Sequence, residues 1–250
     1  MSCFFLTTLP LFPLFLLAPS FTRKILVELV SLYSWIFLAV LRIKVKFKDD
    51  YLLSPDQNFL IVSNHLSYLD VLILSSRFPS CFVTSKEVKA TPFLGQIVSL
   101  AGCLFVDRKD KRNLRGEINE LRDALNYGLN VTVFPEATST NGDGVLRFRR
   151  PLFESSLATG KPILPLTINY QTISHKDVSY KNRDLVCWYG DMDFFPHFMK
   201  VLEQKEITVE VIVAEAFKPE IIPAIELALR SHQIVSHSFK SLNSTEEVSL

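Results

Sequence analysis

Apolar residues occur at two densities along this chain. Over residues 4–18 and again over 25–41 they are nearly continuous; beyond residue 41 they form short runs separated by polar turns. The short runs have strand length and composition: 59–62, 81–84, 104–106, 131–134, 163–168, 184–189 and the strictly alternating 207–214. Residues 42–47 alternate basic and apolar side chains, as an edge strand does. Helical spacing lies between the strands: 67–74, a segment opened by Thr91-Pro92 and ending near Gly102, 114–127 stopped by Gly128, 151–159 closed by Gly160, and 223–239. Strands alternating with helices predict an α/β domain on a mainly parallel, mixed sheet flanked by helices. Such sheets bind ligands at the carboxyl ends of their strands, and His65, Asp107, Arg108 and Glu136 all fall there.

The two long apolar runs set the domain plan: a hydrophobic two-helix membrane anchor over 1–41, a catalytic-type domain over 42–240 and a polar tail over 241–250. As helices the runs reach roughly 22 and 26 Å, each short of a bilayer core of about 30 Å. The first is expected to dip into or cross the bilayer; the alternative is that both helices pack on the protein's own core. Arg23, Lys24, Arg42, Lys44, Lys46 and Lys48 flank the second, which suits a helix lying in the cytoplasmic interface near anionic headgroups. The expected location is therefore the cytoplasmic face of the cell membrane, with membrane lipids as partners.

Charge changes the picture only locally. With 27 Lys and Arg against 26 Asp and Glu, no global field draws the chain to nucleic acid. Arg108, Lys109, Lys111, Arg112 and Arg115 cluster, as do Arg147, Arg149 and Arg150. Each cluster is either solvated loop charge or a site for a phosphate-rich partner. Cys3, Cys81, Cys103 and Cys187 lack CxxC spacing and read as buried, inert thiols. Asp191, Asp193 and His197 are possible metal ligands but read better as a polar loop over the cleft; no metal is expected.

The candidate chemistry begins at Asn64-His65-Leu66-Ser67-Tyr68-Leu69-Asp70, an HX4D motif. A histidine and an aspartate straddling the start of a helix can meet side chain to side chain, so His65 can act as a general base oriented by Asp70. Ser67-x-x-Asp70 is also a capping-box-like start, so Asp70 can equally cap its helix. Asn64 can brace the turn. Arg108 follows a short strand, where a guanidinium can grip phosphate bidentately or pair with Asp107.

His65 and Asp70 are followed in fixed order by Gly102-Cys103-Leu104-Phe105-Val106-Asp107-Arg108, by Phe134-Pro135-Glu136-Ala137-Thr138, and by Lys161-Pro162-Ile163-Leu164-Pro165. The set resembles the glycerolipid acyltransferase family, whose best-known members acylate 1-acyl-glycerol-3-phosphate, with blocks NHxxxxD, GxxFxxR, FPEGTRS and a late PxxP-like strand. The resemblance implies transfer of a fatty acyl group from an acyl thioester to a lysolipid hydroxyl in phospholipid biosynthesis. It implies no cofactor; the co-substrate is acyl-CoA or an acyl carrier protein. It assigns Arg108 to the acceptor's phosphate site, gives Glu136 a hydroxyl-binding role with Thr138 nearby, and marks Lys86 as a lysine often found between the first two blocks.

The third block departs from its family pattern. Ala137 replaces a glycine and limits positive φ. Ser139 replaces an arginine and removes a cation, so either the acceptor carries less phosphate charge or Arg147 or Arg149 compensates. The loop at 138–144 and Val145-Leu146-Arg147-Phe148 resemble the lyso-ornithine-lipid acyltransferase branch, whose acceptor is an aminolipid. A non-catalytic lipid-binding relative sits poorly with His65, Asp70 and Glu136 together, and a serine hydrolase lacks its Gly-x-Ser-x-Gly elbow.

Overall fold

The computed structural model describes residues 19–49, 57–90, 95, 98, 99, 101–107, 113–219 and 222–243. The first apolar run, the basic residues 108–112, the Thr91-Pro92 pair and the tail from 244 lie outside them. In chain order the elements are α1 (Pro19–Val40), β1 (Ile43–Lys48), β2 (Leu60–Ser63), α2 (Leu69–Ser75), β3 (Ser80–Ser85), α3 (Lys86–Ala90) and β4 (Leu104–Val106). There follow α4 (Leu114–Asn126), β5 (Asn130–Val133), a 3-10 turn at Pro151–Phe153 running into α5 (Glu154–Thr159), β6 (Ile163–Ile173), β7 (Lys176–Asp177), α6 (Phe194–Leu202), β8 (Ile207–Val213) and α7 (Ala224–Ser238).

The strands form one sheet in the order β1-β8-β6-β2-β5-β3-β4, with β7 paired to β6. Every pairing along that path is parallel except β6 with β8. Both faces are covered, which is why the central strands read as continuous apolar runs. All four residues of β2 are buried. Its alternate side chains enter different cores: Ile61 joins Leu41, Leu69, Ile73 and Val211 on one face. Leu60 and Val62 join Leu121, Leu125, Phe153 and Leu227 on the other.

Helix α1 is docked on the body by Leu26, Val27 and Leu38, with Leu41 just past its end, all buried, and leaves Leu32, Trp35, Ile36 and Val40 exposed. Among the described residues no helix is long and apolar enough to cross a membrane. At the other end of the chain Leu242 is buried, and its N–H bonds the carbonyl of Gly142. Gly142 sits at φ +82°, and a Cβ there would come within 2.5 Å of Leu242.

Three expectations require correction. Residues 184–189 form no strand: a 3-10 turn at Arg183–Leu185 precedes an irregular segment. Val186 and Cys187 are nonetheless fully buried. Their N–H groups bond the Arg183 carbonyl, and Trp188 N–H bonds Leu66 O at 2.8 Å, so the apolar run is buried by the HX4D loop rather than by a strand partner. The supposed polar loop at 191–197 becomes helix α6 from Phe194 onward, with His197 buried on its inner side. Strand β6 also runs five residues beyond the expected end at 168.

Candidate active site

Strands β2 and β5 are parallel neighbours, with Val62 opposite Val133, so the loops leaving them meet at one edge of the sheet. His65 and Phe134 emerge there, and their rings stack at 4.0 Å between centroids with an interplanar angle of 11°. His65 Nδ1 lies 2.9 Å from Asp70 Oδ2. The carboxylate is fully buried, whereas the His65 side chain keeps 20% exposure. A carboxylate only accepts, so the neutral imidazole carries its proton on Nδ1 and keeps Nε2 as its basic nitrogen.

Asp70 also performs the capping role. Its Oδ2 accepts N–H bonds from Leu66 at 2.6 Å and Ser67 at 2.8 Å, which ties the helix start back on the HX4D loop. The Ser67 hydroxyl has no partner among the described residues, so only one arm of the expected capping box forms. Tyr170, at the far end of β6, donates to the other oxygen, Oδ1, at 2.8 Å. A residue one hundred positions away leaves no local signal in the sequence. Only the continuation of β6 beyond Ile168 brings it here.

The loop is held from three sides. Asn64 makes a paired contact with β6: Nδ2 donates to Ile168 O at 3.0 Å, and Ile168 N–H donates to Oδ1 at 2.8 Å. It therefore extends the β2–β6 ladder instead of bracing its own turn. Glu136 accepts from His65 N–H on one oxygen and from Leu146 N–H on the other, both at 2.7 Å. Burial pushes its carboxyl up to about 7, although those two N–H groups pull the other way. Trp188 closes the third side through Leu66.

Ala137 adopts φ +61°, the left-handed conformation that its loop requires. Thr138 is exposed, its hydroxyl donating to Ser139 O at 3.3 Å. Lys86 stands further off, with Nζ 3.5 Å from Asp107 and 4.0 Å from Glu117. Arg108 lies outside the described residues. The structure thus brings His65, Asp70 and Glu136 into one hydrogen-bonded unit and sets Lys86 beside Asp107.

A cleft of about 690 Å³ opens beside Phe134, Pro135 and Ala137. Arg147, Arg149 and Arg150 line it together with Asp107 and Glu117. Elsewhere, His197 is spent on structure: its ring bonds the Tyr68 hydroxyl and the Cys187 carbonyl, each at 3.1 Å, and burial lowers its proton affinity. Among the described residues no group of His, Cys, Asp and Glu is placed to hold a metal ion. Burial pushes Cys81 and Cys103 up to about 12 and raises Cys187 as well, which keeps these thiols protonated.

A half-buried imidazole held by a buried aspartate thus stands at the carboxyl edge of a mostly parallel sheet in an α/β protein, beside a cleft lined by arginines and two acids, where it can serve as a general base. A family model described as Acyltransferase matches residues 43–169, just over half of the sequence, and the chain belongs to that family. It is 29% identical over 164 residues to a 1-acyl-sn-glycerol-3-phosphate acyltransferase of Neisseria gonorrhoeae, covering 64% of this chain and 62% of that one. It is 30% identical over 190 residues to a lyso-ornithine lipid O-acyltransferase of Rhizobium meliloti, covering 73% and 65%. The chain thus spans a little under two thirds of these relatives' length. The crystal structure of the 1-acyl-sn-glycerophosphate (LPA) acyltransferase PlsC from Thermotoga maritima shares the fold, with a TM-score of 0.63 over 94% of this chain and 92% of that one at 19% identity.

Proposed function

We propose that this protein is a membrane-bound O-acyltransferase that moves a fatty acyl group from acyl-CoA or an acyl carrier protein to the free hydroxyl of a lysolipid. The observation that carries the reading is the 2.9 Å contact between His65 Nδ1 and the buried Asp70 carboxylate, which leaves Nε2 as the base. Nε2 takes the hydroxyl proton as that oxygen attacks the thioester carbonyl. The tetrahedral intermediate expels the thiolate, which recovers the proton from the imidazolium. One C–O bond forms and one C–S bond breaks. Asp70 steadies the transient cation, and base catalysis of this kind contributes roughly 10²–10⁴ in rate.

The acceptor in this reading is 1-acyl-glycerol-3-phosphate, giving phosphatidate. Arg147, Arg149 and Arg150 supply the phosphate with cations that Ser139 cannot, and Arg108, Thr138, Glu136 and Lys86 complete the acceptor side. A second reading, a lyso-ornithine lipid as acceptor, is favoured by one feature: Asp107 and Glu117 line the same cleft as the arginines, so a zwitterionic headgroup meets both signs. The enzyme works at the cytoplasmic face of the cell membrane, held by the N-terminal two-helix anchor.

A competition assay tests both readings. Membranes carrying the wild type or His65→Ala receive both lysolipids and one acyl thioester, and products are read by mass spectrometry. The expected result is phosphatidate that disappears with His65→Ala. An acylated aminolipid instead selects the second acceptor, and product formation unaffected by His65→Ala would overturn the mechanism.

A further inference from the structure

The His65–Asp70 pair has a third member. We infer that Tyr170 is a positioning residue for acyl transfer, its hydroxyl fixing Asp70 Oδ1 and tempering how strongly the carboxylate draws the imidazole proton. Asp70 is fully buried, and its two oxygens are loaded unequally. Oδ2 receives His65 Nδ1, Leu66 N–H and Ser67 N–H, whereas Oδ1 receives the Tyr170 hydroxyl. A buried carboxylate oxygen without a donor is costly, so the phenol holds the anion in its ionised form. Burial and the adjoining carboxylate raise the Tyr170 phenol far above its ordinary value, so it stays a donor throughout.

The backbone is shaped to deliver this hydroxyl. Tyr170 pairs with Val209 on β8, and the register then slips between Tyr170 and Thr172, a bulge at the position where the ring turns to Asp70. Tyr170 lies one residue beyond the family-model match, which ends at 169. The other titratable groups that act on or feel Asp70 are His65 on its own loop, Glu136 from the β5 loop and Cys187 from the segment before α6, while Tyr68 and Cys187 act on Tyr170 itself.

The role rests on the acyl-transfer reading, but its test does not depend on turnover alone. Tyr170→Phe removes only the donor. Loss of a neutral donor raises the proton affinity of the His–Asp pair, so the acid limb of the pH–rate profile should move up by about one pH unit. The value of kcat should fall roughly 10–100-fold, with KM nearly unchanged. Substituting 3-fluorotyrosine at 170 makes the phenol a stronger donor and should move the limb the opposite way. The same two displacements should appear when the His65 imidazole is titrated by nitrogen-15 NMR of histidine-labelled full-length protein in detergent, assigned by the signal lost in His65→Gln. A group that merely packs would lower activity without moving either midpoint; unmoved midpoints in both forms overturn the inference. If Tyr170→Phe does not fold, the fluorinated protein decides alone. If no acyl transfer occurs in any form, the imidazole titration still decides, and only the functional reading fails.

Discussion

Ala137 holds a backbone conformation that costs an L-residue about 1–2 kcal/mol, whereas glycine adopts it freely. After the extra chain entropy that glycine loses on folding, Ala137→Gly should stabilise the protein by about 0.5–1 kcal/mol, seen as a raised midpoint in urea unfolding. An unchanged or lowered midpoint would mean that the loop makes use of the methyl group. Glu136 gives a sharper test, because its carboxyl is raised from 4.5 to about 7 in the folded protein, mainly by burial. A group raised on folding contributes stability in full below its unfolded value and loses it as pH rises through the folded one. Glu136→Gln lacks this titration and sets an amide NH2 against a backbone N–H, a cost of about 1–3 kcal/mol. The wild type should therefore exceed the variant most below about pH 4.5, and the gap should narrow from there to about pH 7 and level off above it. A gap that widens over that range would contradict the buried-carboxyl account. The HX4D pattern made the His65–Asp70 pair legible in the sequence. The employment of both Glu136 oxygens by backbone N–H groups was not legible, since one donor, His65, belongs to a different loop and the other, Leu146, lies ten residues on in an irregular stretch.

Helix α1 is apolar on both of its sides. Leu26, Val27 and Leu38 face the body, while Leu32, Trp35, Ile36 and Val40 face out, with Trp35 65% exposed. Exposed apolar surface of this extent fits a helix resting in a lipid interface, the role expected of the second anchor helix. The triple change Leu32→Ser, Trp35→Ser and Ile36→Ser should weaken flotation with anionic vesicles at least tenfold, on the scale of ~1.5–3 kcal/mol per buried side chain, without altering the thermal midpoint. Undiminished flotation would remove this face from membrane binding. Strand signals in the sequence were dependable where a run was flanked by turns and buried on both faces, as with β2 and β5, or alternated strictly, as with β8. They misled at 184–189, where tertiary burial against the HX4D loop, not sheet pairing, accounts for the apolar residues. Helix α6 escaped notice because Asp191 and Asp193 precede it and Pro196 lies in its first turn, a position that suits proline.

Across the whole molecule, the sheet order matters more than any single element. It sets β5, β2 and β6 side by side, so that the His65–Asp70 loop, Tyr170 and the loop carrying Glu136, Arg147 and Arg149 converge from distant segments. If those arginines bind the acceptor's phosphate, Arg147→Ala with Arg149→Ala should raise its KM about tenfold and leave kcat nearly intact. An unchanged KM would move the phosphate elsewhere. By itself the sequence determined the α/β class, the parallel core and the His65–Asp70 pair, because hydrophobic period and short-range spacing are local quantities. Tertiary structure alone decided that Asn64 pairs with Ile168, that Glu136 joins two loops and that Tyr170 reaches Asp70. Those contacts span about seventy to one hundred residues and exist only once the strands have chosen their neighbours.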